Sequence, residues 1–171
     1  MMVAGMAADD ASLDDQAAFA SSLEPLLPMA FRLAYAMLRR REEAEDVVQE
    51  AALKAWWKRN TFRRGAQLRP WFLAIVANES KMANRRAKRV IDAAPEVVPD
   101  DSADVTDLRR AMSTLDAQTR MVLVLRYYLD LPHSEVARIL GVSEGAARVR
   151  VHRALARLRP AIDVSEDPSY G

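Results

Sequence analysis

The chain is predicted to be all-α, built as two small helical domains joined by a flexible acidic linker. Three observations carry this. The 171 residues are half hydrophobic and 29% charged but only 6% aromatic, a vocabulary of Ala, Leu, Arg and Glu that loses little rotamer freedom in a helix. Apolar residues recur at steps of three and four, and no stretch alternates with the period of two that a half-buried strand needs. Between residues 90 and 107, VIDAAPEVVPDDSADVTD breaks the pattern: Pro95 and Pro99 remove helix donors, and Asp100, Asp101 and Asp104 resist collapse into a core.

The expected boundaries are a disordered acidic tail over 1–22, a first helical domain over 23–90, a linker over 91–106, a second domain over 107–160 and a polar tail over 161–171. In the first domain, Leu26, Leu27, Ala30, Phe31, Ala34, Met37 and Leu38 place one apolar stripe on a helix from about 23 to 40. The next helix, REEAEDVVQEAALKAWWKR, opens on Glu and closes on Lys and Arg, the order that complements the helix dipole. Its Val47, Val48, Ala51, Ala52, Ala55 and Trp56 face one side. After the loop NTFRRGAQL, Pro70 suits the first position of a third helix, with Trp71, Phe72, Ile75, Val76 and Met82 expected inward.

The second domain reads as four helices, the first over about 106–113 and the next around Met121, Val122, Leu123 and Leu125. In LPHSEVARILGVSEGAARVRVHRALARLR, Ser134 is expected to cap a helix ending at Leu140, Gly141 to take the left-handed turn, and Ser143 to cap the last helix. A short helix, a Gly turn and a longer basic helix describe a helix-turn-helix.

The net charge of +1 is a cancellation. Residues 31–90 carry 15 Lys or Arg against 6 Asp or Glu, and residues 107–160 carry 10 against 5, while the remaining segments hold 13 acids and no Lys or Arg. Basic blocks of this size attract phosphate by counterion release, which makes nucleic acid the leading partner; a solvated Arg-rich surface is the alternative on charge alone. The absence of cysteine removes disulfides, thiolate metal sites and a cysteine nucleophile. His133 and His152 lie in different elements, the paired Asp residues fall in tails or linker, and neither a phosphate-cradling Gly loop nor a nucleophile with an oriented base is evident. The expectation is therefore no catalysis, no cofactor and no metal. The acidic N-terminal segment lacks the basic and apolar regions of a signal peptide, and no apolar run approaches the length of a bilayer span, so a cytoplasmic protein without membrane insertion is expected.

Taken together, these segments resemble the extracytoplasmic-function group of the sigma-70 family, the small two-domain sigma factors of bacterial RNA polymerase. The resemblance covers about residues 23–160. AEDVVQEAALKAW, residues 44–56, is similar to the region 2 helix that binds core enzyme. RPWFLAIVANESKMANRRAKR, residues 69–89, is similar to the promoter-melting segment, and residues 115–159 resemble region 4. The resemblance implies a factor without chemistry of its own that docks on core RNA polymerase, through the β′ clamp helices and the β flap, and directs promoter-specific initiation; it also implies an anti-sigma factor as partner.

Residue by residue, Asp46, Gln49 and Glu50 share one helix face, which the resemblance assigns to the β′ clamp helices; an acidic face paired internally with Lys or Arg is the alternative. Asn60, Arg63, Arg64, Asn78, Arg85, Arg86 and Arg89, with Lys81 and Lys88 among the same bases, are assigned to the minus-ten DNA, the loop and Asn78 forming a pocket for a flipped base. The family often carries Asp where this chain has Met82. Trp56 and Trp71 are expected in the core, while Trp57 suits either a core or a stacking role. In the last helix Ala147, Val151, Ala154 and Leu158 face inward. That leaves Ser143, Glu144, Arg148, Val149, His152 and Arg153 for the minus-thirty-five DNA, with Arg150 at the flank as a phosphate contact. A helix-turn-helix regulator that acts without polymerase, its first block sensing a ligand or dimerising, and a nucleic-acid-processing enzyme are the competing readings. Limited proteolysis is expected to cut first between about Ala93 and Thr106, and protection of that segment would argue against a flexible joint.

Overall fold

A computed structural model describes residues 15–63, 65–89 and 103–163; side chains are described for 15–63, 65–87 and 108–160. Most of the expected linker and both distal ends lie outside the described residues. The described chain is helical throughout, as its composition predicts.

Helix α1, over residues 15–23, occupies part of the segment expected to be a tail. Its apolar Phe19 and Leu23 are one turn apart, so a single face can be covered. Phe19 tilts against the Trp56 ring at 5.7 Å, and Asp15 meets Arg59 at 3.3 Å. Residues 15–22 are thus helical and not the disordered tail expected of them, because two apolar residues at helical spacing suffice to hold an otherwise polar segment. A short 3₁₀ turn, Glu24–Leu26, leads into α2, Leu27–Leu38. This helix stops where Arg39 takes a left-handed φ of 58° and its N–H bonds Tyr35 O.

Helix α3, Arg41–Lys58, buries Ala44, Val47, Ala51 and Ala55. Small residues at steps of three and four let neighbouring helices approach closely. Helix α4, Leu68–Arg89, buries Phe72, Leu73, Val76, Ala77 and Ser80. It begins two residues before Pro70, whose missing N–H falls in the first turn, where no intrahelical partner exists. Met82, expected inward, is 41% exposed because it falls on the side of the helix turned away from Val76 and Ser80, one turn on from exposed Asn78. The buried Ser80 hydroxyl donates to Val76 O at 2.8 Å, so no polar group is stranded.

In the second unit, α5 is Ala103–Ser113, starting three residues before its expected position. Helix α6, Ala117–Leu123, is capped by Asp116, which accepts from Thr119 N at 2.9 Å and from Thr119 Oγ1 at 2.7 Å. A single π turn follows over Val124–Tyr128, closed by the Leu129 N–H to Val124 O bond of 2.8 Å. Helix α7, His133–Leu140, begins after Pro132, not at a Ser134 cap; Ser134 lies inside the first turn and is exposed. The extended Pro132 supplies the first acceptor, taking the Val136 N–H at 3.0 Å. Gly141, with φ of 66°, ends α7 in a Schellman turn, Val142 N–H bonding Ala137 O at 3.0 Å and Gly141 N–H bonding Arg138 O at 3.2 Å. Helix α8, Glu144–Asp163, is longer than expected, extending into the tail predicted from residue 161.

The two units share a core. Leu33, Met37, Phe72, Leu73 and Val76 of α2 and α4 belong to the same buried cluster as Met121, Val124, Leu125, Val136 and Ile139 of the second unit. A second, smaller cluster of Leu115, Val122, Leu123, Val151 and Ala154 fastens α8 to α6.

The Asp116 cap generates a pH prediction. Burial works to raise its pKa, but the hydrogen bonds from the Thr119 hydroxyl and N–H and the Arg157 charge outweigh it and hold the carboxyl below its ordinary value. The cap therefore stabilises the fold above about pH 4 and is lost as the pH falls through the lowered value. Asp116→Ala is expected to cost about 0.5–2 kcal/mol at pH 7. In urea titrations over a pH series, that difference should shrink below about pH 4.

Candidate nucleic-acid interface

The last helix is positioned by what it buries. Ala147, Val151 and Ala154 are buried on its inner side, Leu155 and Leu158 half-buried, and Ser143 caps its start by accepting from Ala146 N at 3.2 Å. The opposite side exposes Ser143, Glu144, Arg148, Val149, His152 and Arg153, with Arg150 exposed at the flank, so all seven residues singled out from the sequence stand at the surface. Arg148 Nη2 donates to Glu144 Oε1 at 2.8 Å, and this bond with the Arg148 charge holds the Glu144 carboxyl below its ordinary value. The pair organises one end of the face while Arg150 and Arg153 project separately.

On α3, Asp46, Gln49 and Glu50 are exposed together. Glu50 lies 3.8 Å from Lys54, whose stronger partner is Glu79 of α4 at 2.7 Å. The same helix face continues in exposed Leu53 and Trp57, the latter 66% accessible, which makes the strip acidic at one end and apolar at the other. Trp56 and Trp71 are both half-buried; Trp71 packs against the core as expected, whereas Trp56 lies outside the core cluster, against Phe19 and Arg59. The guanidinium of Arg59 lies 3.6 Å above the Trp56 ring, and Phe62 tilts against Trp71 at 5.1 Å.

Between α3 and α4 the chain turns through the 3₁₀ segment Arg59–Thr61 and through Gly65, whose φ of 88° suits glycine. Asn60 and Arg63 are exposed there; Arg64 lies outside the described residues. A cleft of about 470 Å³ opens beside this loop, lined by Gly65, Ala66, Gln67, Pro70, Trp71 and Ala74, with Arg138 of α7. Asn78, exposed one turn further along α4, does not line it. Arg85 and Arg86 are exposed toward the end of α4, beyond which the side chain of Arg89 is outside the described residues. Lys81, half-buried on the same helix, has its pKa lowered by burial first and then by the charges of Arg150 and Arg85. The basic surfaces of the two units therefore act on each other.

Sequence reasoning missed the polar contacts between the units. Arg69 pairs with Glu135 through two hydrogen bonds, one of them Nε to Oε2 at 2.8 Å, although the residues lie 66 positions apart. Arg120 donates to Ala36 O at 2.8 Å and to Met37 O at 3.1 Å. A signal for Glu135 did exist: it sits one turn before Ile139, on the inward side of α7. A signal for its partner did not, because helical periodicity carries no information between distant segments.

Among the described residues, no group of three or more His, Cys, Asp or Glu is placed to hold a metal ion, and no helix is long and apolar enough to cross a membrane. Comparison with known proteins matches residues 23–90 to sigma-70 region 2 and residues 106–158 to sigma-70 region 4. The chain is 30% identical to the ECF RNA polymerase sigma factor SigD of Mycobacterium tuberculosis, over 92% of this chain and 83% of that one. It is 27% identical to the RNA polymerase sigma factor SigV of Bacillus subtilis, over 75% and 81%. Among solved structures, the sigma factor RpoE of Bartonella quintana, crystallised with the anti-sigma factor NepR, matches with a TM-score of 0.73 at 27% identity, covering 85% of this chain and 97% of that one. An acidic helix face, a basic loop and helix beside a cleft, and a capped recognition helix thus occur in the order of two matched sigma regions: the chain belongs to the extracytoplasmic-function sigma factors of bacterial RNA polymerase, which direct promoter-specific transcription initiation.

Proposed function

We propose that residues 23–90 form the unit that docks on core polymerase and opens the minus-ten element, that residues 107–160 form the unit that reads the minus-thirty-five element, and that the intervening segment sets their separation. The observation that carries this reading is the last helix: behind a Schellman turn, one side is buried and the other presents Arg148, Val149, His152 and Arg153. Arg can bridge both acceptors of guanine and Val can meet a thymine methyl in a major groove, while Arg150 at the flank suits phosphate. Run-off transcription with purified core enzyme on genomic fragments tests the assignment and reports the promoter sequence.

Asp46, Gln49 and Glu50 are the core-binding residues in this reading. Leu53 and Trp57 extend the contact, because aromatic and aliphatic anchors next to charge suit a protein interface better than DNA. Asn60, Arg63, Arg64, Asn78, Arg85, Arg86 and Arg89 follow the displaced strand of the minus-ten element, the loop cleft offering a captured base an apolar floor of Pro70, Trp71 and Ala74. The protein acts by binding, without catalysis of its own, in the cytoplasm. An anti-sigma factor is the natural regulator, given that RpoE was solved with NepR.

Asp46→Arg is expected to abolish core-enzyme binding while the circular dichroism spectrum stays helical, since the residue is exposed and Val47 and Ala51 behind it are untouched. Unchanged affinity in a polymerase titration removes this face from the interface. Arg148→Ala and Arg153→Ala should each weaken the cognate upstream element by about 1–3 kcal/mol and relax preference at one base position. Arg150→Ala should weaken all sequences alike and reduce the salt slope by roughly one. The reverse pattern in a binding series would mean that the reading face lies elsewhere on the helix.

A further inference from the structure

The outer side of α4 carries bases and one exposed apolar residue, with no acid among them. Phe72, Leu73, Val76 and Ser80 are buried on the inner side, and the helix's one acid, Glu79, accepts from Lys54 Nζ of α3 at 2.7 Å. At 3.6 residues per turn, Asn78, Met82, Arg85 and Arg86 fall within about 100° of arc opposite that buried side, and all four are exposed. Met82, 41% accessible, stands one turn beyond Asn78, with Arg85 on one flank and Arg86 on the other.

Single apolar residues at a protein surface are ordinary. This one is set among groups that suit DNA, and of the four it alone lacks a hydrogen-bond donor. Guanidinium groups on its flanks suit phosphate, and an Asn can pair with an adenine edge. A flexible thioether between them can meet a base only by apolar contact. Thymine alone among the bases offers an apolar group at its edge, the C5-methyl. Asn78 and Met82 are about 6 Å apart along the helix axis, whereas bases on one strand step by about 3.4 Å. Along a strand the two side chains therefore meet bases no more than about two steps apart. Neither residue lines the loop cleft, so this pair is a second point of contact.

We propose that Met82 is a specificity-determining residue of the minus-ten contact, reading the C5-methyl of a thymine within about two steps of the base met by Asn78, while Arg85 and Arg86 hold the flanking phosphates. The inference rests on the proposed assignment of α4 to minus-ten DNA and names a base contact within it.

Replacing thymine by deoxyuridine deletes the methyl and keeps the base pair, which makes the contact testable atom by atom. On a promoter found by run-off transcription, each thymine of the minus-ten region is replaced in turn, and the affinity of the full chain with core polymerase is measured. One position is expected to lose about four-fold, the value of one buried methyl. Met82→Ala should bind the thymine promoter about as weakly as the unsubstituted chain binds that uracil promoter, and should not distinguish the two. Met82→Leu should restore the distinction at the same position. Circular dichroism checks that these exposed substitutions leave the helices intact. A uracil loss that persists undiminished in Met82→Ala overturns the proposal, as does the lack of any methyl-sensitive position. Equal weakening of the thymine and uracil promoters by Met82→Ala, with the four-fold loss between them retained, assigns Met82 to a protein contact and overturns it too. Arg85→Ala with Arg86→Ala tests the underlying reading separately: unchanged affinity and salt slope would remove α4 from the DNA altogether.

Discussion

A carboxylate on the inner side of α7 constrains how this chain can fold as a whole. Glu135 cannot be buried ionised without a cation, and Arg69, at the start of α4, supplies one with two hydrogen bonds. Meeting that requirement sets α7 across α4, places Arg138 beside the loop cleft and brings Val136 and Ile139 into the cluster that holds Phe72 and Val76. Arg120 works in the same direction from α6, its burial lowering its pKa while it satisfies carbonyls at the end of α2. Apolar area supplies the bulk of the attraction between the units. The two arginines choose the geometry.

The recognition helix illustrates a different economy. Its register depends on few local features: Gly141 reverses the chain, Ser143 caps the new helix, and Ala147, Val151 and Ala154 fasten it to the rest of the unit. With the inner side so occupied, the exposed residues have no freedom to turn inward. Small residues on the buried side also allow close approach, so a short segment with little apolar bulk is held rigidly enough to present Arg148 and Arg153 in a defined phase.

Charge is organised on a larger scale than any single ion pair. Exposed acids of α3 stand apart from the bases of α4 and α8, and Lys81 feels both Arg85 on its own helix and Arg150 on the other unit. Like charges converging across the contact work against the apolar attraction. The arrangement is thereby held less tightly than its buried area alone would suggest.

The all-α class, the order of the helices, the Gly141 turn, the Ser143 cap and the exposed side of α8 were all legible in the amino-acid sequence, because each follows from spacing within a few turns of chain. The same reading misjudged segments whose fate depends on distant partners. Residues 15–22 looked like a polar tail until Trp56 gave Phe19 something to pack against, and Met82 looked inward until neighbouring helices packed on the Val76 side of α4 and left its own side exposed. The sequence could mark Glu135 as a charge on an inner face, but only the tertiary structure decided that Arg69 would meet it. Helical periodicity is local, whereas the pairing of a buried charge is settled by which distant surfaces come together, and that depends on the whole core at once.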